Sequence, residues 1–290
     1  MNDRDSGPIA VEAPAKVNLY LHVTGRRSDG YHELDTLMVF MDLADRLTVA
    51  PSDSLSLAVE GPFAANLPSD SESNLVMQAA RALAKAAGVE PTGQMMLTKN
   101  LPVSAGLGSG SSDAAAALKA LSRHWEIADG VVDLAAIGLG IGSDIPGCLE
   151  ARSIFVGGTG DRIDATPPLP PVDMLLVNPG VQLSTKSVFE ARIGGFSPEA
   201  RFSKAPGDVR ALADLLEART NDLTDPAIRL SPVIEEVLAA IDAAPGCRLA
   251  RMSGSGATCF GLFDDAETAV RAKDQLQREN WWCGVTRLVG

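Results

Sequence analysis

A chain of 290 residues, 46% hydrophobic and 21% charged, has apolar material for one large domain or two medium ones. Its 37 Asp and Glu outnumber 25 Lys and Arg, and the formal net charge of -12 argues against a nucleic-acid backbone or an anionic membrane surface as partner. That balance leaves room for a phosphorylated small molecule held by a few placed donors.

The elements are read in chain order. Val17, Leu19, Leu21 and Val23 alternate with Lys16, Asn18, Tyr20 and His22. A period of two predicts a strand with one buried face, and it sets Lys16 and Asn18 together on the other. Residues 25–32 read as a loop, and 36–43, 46–50 and 55–60 as strands. Ser73 is the expected N-cap of a helix running to Ala87, with Gly88 just past its end. A short strand over 94–99 leads into a glycine- and serine-rich loop, then an alanine-rich helix to about Trp125. A helix over 131–139, a second loop over 140–147 and a strand over 151–156 follow. Residues 166–171 hold four prolines in six positions, the clearest linker signal, so the domain boundary is expected there, between 1–165 and 166–290. The second half reads as a strand at 174–177, helices at 186–192, 209–219 and 231–243, strands at 248–252 and 258–263, a helix at 265–278 and a last strand. Strand–helix–strand–strand–helix–strand is the ferredoxin-like order.

Four scattered cysteines form no C-x-x-C, so neither a zinc site nor a disulfide framework is expected. The first eight residues are polar and carry no secretory signal, and no apolar run reaches membrane-spanning length. A cytoplasmic protein follows as the expectation, with no membrane or nucleic-acid partner.

Residues 101–121, Leu-Pro-Val-Ser-Ala-Gly-Leu-Gly-Ser-Gly-Ser-Ser-Asp and then mostly alanine, carry the most information. Small residues let a ligand approach the backbone, and a helix start offers unpaired N–H groups with a partial positive charge. A phosphate fits such a site. A Walker A loop would need a Lys after the glycines, and none follows; a dinucleotide fingerprint would need a different glycine spacing. A flexible linker would not flow into a segment of such high helix propensity. Gly106, Leu107, Gly108, Ser109, Gly110, Ser111 and Ser112 are therefore the candidate phosphate contacts.

Three segments taken together resemble one family. Pro14-Ala-Lys-Val-Asn-Leu19, the stretch from Pro102 through Gly106-Leu-Gly-Ser-Gly-Ser-Ser-Asp113, and Ser253-Gly-Ser-Gly-Ala257 are similar to the motifs of the GHMP kinases, the galactokinase, homoserine, mevalonate and phosphomevalonate kinase superfamily. Thr24-Gly-Arg-Arg-Ser-Asp-Gly-Tyr-His-Glu-Leu34, Gly142-Ser-Asp-Ile-Pro146 and Asn221-Asp-Leu223 narrow the likeness to its 4-diphosphocytidyl-2-C-methyl-D-erythritol kinase branch, which serves the non-mevalonate isoprenoid pathway. The resemblance runs in order from about Ala10 to the C-terminus.

The resemblance implies an α+β, two-lobed fold, with an N-terminal ATP-binding lobe and a C-terminal ferredoxin-like lobe. It implies an ATP- and Mg2+-dependent kinase acting on the 2-hydroxyl of a cytidine-diphosphate-linked methylerythritol, as a monomer or weak homodimer. Asp144 takes the proton from the acceptor hydroxyl, with Lys16 beside it. Pro102 joins the phosphate loop, and Asn74 and Lys99 line the nucleotide pocket. Asn74 in a helix first turn and Lys99 as an ordinary exposed lysine are the plainer readings of those two. Tyr31 stacks on the cytosine and His32 hydrogen-bonds it. Phe189 forms the opposite wall, or else the core face of its own helix. Asn18, Thr185, Gly254 and Ser255 lie toward the acceptor end, although a plain hairpin would also explain those turn glycines. No protein metal ligand is assigned, since magnesium usually keeps its waters and borrows phosphate oxygens. Homoserine- or mevalonate-type kinases, and a non-catalytic nucleotide binder on this scaffold, are the rivals. The Tyr31-His32 loop argues against the first, because those acceptors have no base to stack. The presence of both Lys16 and Asp144 argues against the second. The chain departs from the branch at Ser104 and Ser109, where glycine or alanine is common, and at Gly147-Cys148, where aromatic residues are frequent.

Overall fold

The computed structural model describes residues 7–289. The chain divides into two compact units. The first gathers residues 7–14, Ala44–Val103 and Ser109–Glu150; the second gathers Ala15–Leu43, Ser104–Gly108 and residues 151–289. Strands β1 (Ile9–Arg26) and β2 (His32–Ala50) contribute to both.

In the first unit, β3 (Leu55–Glu60) pairs in parallel with β4 (Gly93–Thr98), and β4 pairs antiparallel with residues 46–50 of β2. Helix α1 (Leu75–Ala87) makes the crossover from β3 to β4, as a parallel pair requires. It packs on α2 (Ser109–His124), which packs on α4 (Ile145–Glu150), and α3 (Leu134–Leu139) completes the layer. Ala114, Ala115, Ala116, Ala117 and Ala120 are all buried on α2, so the alanine run serves close helix packing.

In the second unit, β5 (Ile154–Gly158) pairs with β2 at residues 34–38 and with β6 (Arg162–Ala165). Strands β7 (Asp173–Asn178), β8 (Cys247–Met252), β9 (Cys259–Phe263) and β10 (Trp282–Val289) form an antiparallel sheet in the order β10-β7-β9-β8. This is the ferredoxin-like arrangement expected from the sequence. Helices α5 (Thr185–Glu190), α6 (Val209–Glu217), α7 (Thr224–Leu230), α8 (Val233–Asp242) and α9 (Ala266–Leu276) complete the unit, with α8 on β8 and α9 on β7 and β10. Val177, Leu223, Ile234, Val237, Phe263 and Ala269 are among the residues of its core.

The structure corrects several sequence-level expectations. Residues 36–43 and 46–50 belong to one 19-residue strand, β2; the apparent polar break is Asp45, which is buried rather than a turn residue. The helix cap is Asn74, not Ser73: its side chain accepts the Val76 N–H, while Ser73 ends a preceding 3-10 turn. The 140–147 loop shortens because α4 begins at Ile145, and the helix expected over 131–139 begins at Leu134. Helix α7 carries Pro226 in its first turn, where the missing N–H costs nothing. No described helix is long and apolar enough to cross a membrane.

Candidate active site

The site residues of β1 sit on a polar face that is buried as fully as the apolar one. Lys16, Asn18, Tyr20 and His22 are each no more than 5% exposed. The alternation therefore separates an apolar face from a hydrogen-bonded one, and does not mark a face open to solvent. Buried polar groups need partners, and this face supplies them. Lys16 Nζ donates to Asn18 Oδ1 at 2.9 Å, and Asn18 Nδ2 donates to Thr36 Oγ1 at 2.9 Å. The Tyr20 hydroxyl donates to Asp35 at 2.8 Å; burial first, and then the Asp35 charge, pushes that phenol far above its ordinary range. His22 Nε2 accepts the Thr220 N–H at 3.1 Å, which makes Nδ1 the donor to the Pro198 carbonyl at 2.8 Å.

The first half of the glycine loop lies against this strand. The Lys16 N–H donates to the Leu107 carbonyl at 2.9 Å. Gly108 has φ +59°, and a Cβ there would come within 2.7 Å of Lys16 Cε, so only glycine lets the lysine stem cross. Gly106, at φ +76°, would collide with the Ser253 carbonyl if it carried a side chain. Ser253 Oγ accepts the Asn18 N–H at 3.1 Å and donates to the Gly106 carbonyl at 2.9 Å. The Thr258 N–H donates to the Ala105 carbonyl at 3.0 Å. The 253–257 turn thus supports the loop from below. Asn221 in turn donates to the Met252 and Gly254 carbonyls, both at 2.8 Å, which gives the Asn221-Asp-Leu223 motif a physical role.

The second half of the loop opens α2 in the first unit. Ser109 Oγ donates to the Pro102 carbonyl at 3.3 Å, and Pro102 is buried. Gly110 sits beside Leu75, and Ser111 is partly exposed. Ser112 Oγ is buried and donates to Cys148 Sγ at 3.4 Å, so the departure at Gly147-Cys148 places a small acceptor under α2. Asp144 is partly exposed and immediately precedes α4, its carbonyl taking the Cys148 N–H at 3.0 Å.

Lys99 is not the exposed lysine of its plainer reading. It is 1% exposed and ion-paired with both Asp45 and Asp113, the latter at 2.7 Å. Asp45 Oδ1 also takes the N–H groups of Asn100 at 2.6 Å and Leu101 at 2.9 Å, the residues that enter the glycine loop. Burial, reinforced by Asp45 and opposed by Lys99, pushes the Asp113 carboxyl up to about 7. Asp45 and Asp113 escaped the sequence reading as site residues, although Asp113 closes the glycine motif and Asp45 marks the apparent strand break.

Tyr31 stands 69% exposed at the tip of the loop between β1 and β2, its N–H donating to Asp29 at 3.1 Å. His32 stacks on Phe189 with centroids 4.9 Å apart and planes 22° apart. Burial, then the charges of Arg26 and Arg192, hold the imidazole below its ordinary value, which favours the neutral ring. Phe189 also packs against the core of its unit, so its two readings coexist. Thr185 Oγ1 and Ser255 Oγ are 2.9 Å apart, and Gly254 lies close to Asn18 Oδ1. The second unit therefore brings together Lys16, Asn18, residues 106–108, Gly254, Ser255 and Thr185, and separately pairs His32 with Phe189. The first unit gathers residues 109–112, Lys99 and Asp113, and it holds Asn74 as a helix cap.

Two family models match the chain: GHMP kinases N terminal domain over residues 74–152, and GHMP kinases C terminal over residues 200–281. A 4-diphosphocytidyl-2-C-methyl-D-erythritol kinase of Rhodospirillum rubrum is 48% identical over 96% of this chain and 92% of its own. The chain belongs to the GHMP kinases. Another relative of the same name, from Paramagnetospirillum magneticum, is 49% identical over 97% of this chain and 98% of its own. Among solved GHMP kinase structures, one titled 4-(cytidine 5'-diphospho)-2C-methyl-D-erythritol kinase is 37% identical, with a TM-score of 0.77 over 97% of this chain and all of that one. A homoserine kinase from Cytophaga hutchinsonii, 19% identical with a TM-score of 0.68 over all of this chain and 96% of its own, shares the fold.

Proposed function

We propose that this GHMP kinase transfers the γ-phosphoryl group of ATP to the 2-hydroxyl of 4-diphosphocytidyl-2-C-methyl-D-erythritol, the compound in its relatives' names. The reading places it in the non-mevalonate isoprenoid pathway, in the cytoplasm, as a monomer or weak homodimer. Residues 1–165 form the ATP-binding domain, which also carries Asn18, Tyr31 and His32, and 166–290 the substrate-side domain, a division that falls between the two matched family segments. The observation that carries the chemistry is the crossing of Lys16 over Gly108, which fixes a lysine against a loop able to cradle phosphates.

Phosphoryl transfer asks for positioning and charge stabilisation. The backbone N–H groups of residues 106–112, with Pro102 shaping the loop, bind the ATP phosphates, and Asn74 and Lys99 order the walls of the nucleotide site. The Asp144 carboxylate accepts the proton of the acceptor hydroxyl as its oxygen attacks the γ-phosphorus. The bond from that phosphorus to the β,γ-bridging oxygen breaks, and ADP leaves with the electron pair. The Lys16 ammonium balances the charge on the transferring group. Tyr31, His32 and Phe189 hold the cytosine; a neutral His32 has both a donor and an acceptor for a base edge. Asn18, Thr185, Gly254 and Ser255 hold the methylerythritol end. Mg2+, when bound, neutralises the triphosphate. The ion would be held by phosphate oxygens and its own waters, with Ser112 or its neighbour touching that shell.

A coupled ADP-release assay with the cytidine substrate, mevalonate and homoserine tests the reading. Turnover of the cytidine compound alone is expected; turnover of only the other two overturns it. Asp144→Ala should lower kcat about a hundred- to ten-thousandfold while ATP affinity stays within a small factor.

A further inference from the structure

The polar face of β1 holds a hydrogen-bond chain that runs in one direction. It starts at the Tyr20 backbone carbonyl, which can only accept. Thr36 Oγ1 lies 2.5 Å from that oxygen and must donate its one hydrogen there. The hydroxyl is thereby left as an acceptor for the next group, the Asn18 side chain at 2.9 Å. An asparagine amide can present either end, and its neighbours decide which. Here the end facing Thr36 has to be Nδ2, because Thr36 has no second hydrogen to give an oxygen. Oδ1 then faces the other way, 2.9 Å from Lys16 Nζ. The reverse orientation would lose the Thr36 bond and set an NH2 group against an ammonium, donor to donor. Thr36 is 2% exposed and Asn18 likewise, so water does not compete for these places.

We infer that Thr36 is a positioning residue for Lys16: its hydroxyl sets the polarity of the Asn18 amide and so keeps an oxygen acceptor against the ammonium. The inference rests on the proposed role of Lys16 in phosphoryl transfer. Thr36 touches neither nucleotide nor acceptor in that reading, and acts through Asn18. The Asn18 N–H, bound to Ser253, anchors the backbone of the same residue to the turn beneath the glycine loop. Main chain and side chain of Asn18 are thus both fixed, and the lysine is held against the loop it crosses at Gly108.

Three variants test this. Thr36→Val keeps the shape and removes the hydroxyl, Thr36→Ala removes it without crowding, and Thr36→Ser restores it. Loss of positioning predicts that kcat falls about ten- to hundredfold in the Val and Ala variants, with KM for ATP within about twofold, and that serine recovers most of the rate. A purely structural role for Thr36 would lower melting temperature and active fraction without this split, and serine would not restore the rate per folded molecule. Folded Val or Ala enzyme with wild-type kcat overturns the inference while leaving the proposed function standing. A wild-type protein inactive toward the cytidine substrate overturns both.

Discussion

Two lysines of this chain are almost fully buried, and they are buried for opposite purposes. Lys99 ends on two carboxylates, Asp45 and Asp113, in a closed cluster that ties the entry of the glycine loop to α2. Lys16 ends on an amide oxygen at the head of a hydrogen-bond chain, with its stem laid across Gly108. Depth alone does not separate them, since both are under 5% exposed. The surroundings do. An ion cluster on a strand end fixes backbone, whereas the β1 lysine laid across Gly108 sits beside the loop proposed to hold phosphate.

The sharpest way to break this contrast is to remove each ammonium in turn. Lys16→Met should lower kcat about a thousandfold with a smaller loss of stability than Lys99→Met, read by steady-state kinetics and urea unfolding. Lys99→Met should do the reverse, stranding two buried carboxylates at about 3–5 kcal/mol. Equal kinetic losses at equal stability would erase the distinction. A smaller effect sharpens the Lys16 side. Gly108→Ala, at φ +59° and 2.7 Å from Lys16 Cε, should lower kcat/KM about tenfold or more. Gly88→Ala, at φ +68° with nothing within 4 Å, should cost about 1 kcal/mol and leave the kinetics alone.

The smallest effect is a pH slope on the Lys99 side. Asp113 is pushed up to about 7 by burial, with Asp45 adding and Lys99 opposing. An unfolded aspartate titrates near 4, so the folded protein binds this proton more tightly. The contribution is full below about 4 and is lost as pH rises through about 7. Asp113→Asn should flatten stability against pH between those limits, in urea midpoints taken across the range. An unchanged slope would mean that the carboxyl is ionised throughout.

The sequence was most informative where a residue type has few uses. The glycine loop, the ferredoxin-like order and the Lys16–Asn18 face were all legible, because glycine spacing, turn composition and period-two alternation reflect backbone geometry directly. It was least informative where a polar residue is buried. Asp45 fell in the gap between two expected strands, Lys99 read as surface or pocket, and Thr36 stood only as the first residue of an expected strand. In each case the partner that explains burial lies on another element, such as Asp113 for Lys99 or the Tyr20 carbonyl for Thr36, and no local pattern marks it. The short strand at Arg162–Ala165, half polar and mostly exposed, offers too little apolar periodicity to be seen.

The contact between Gly106 and Ser253 also has a meaning in time. The glycine loop is synthesised long before the turn that carries it, yet Ala105 and Gly106 hydrogen-bond to Thr258 and Ser253. A nascent chain that has just passed the proline-rich segment holds every residue of the glycine loop without the hairpin that supports it. The hydrogen bonds that support Ala105 and Gly106 are therefore acquired late, when the C-terminal strands come together.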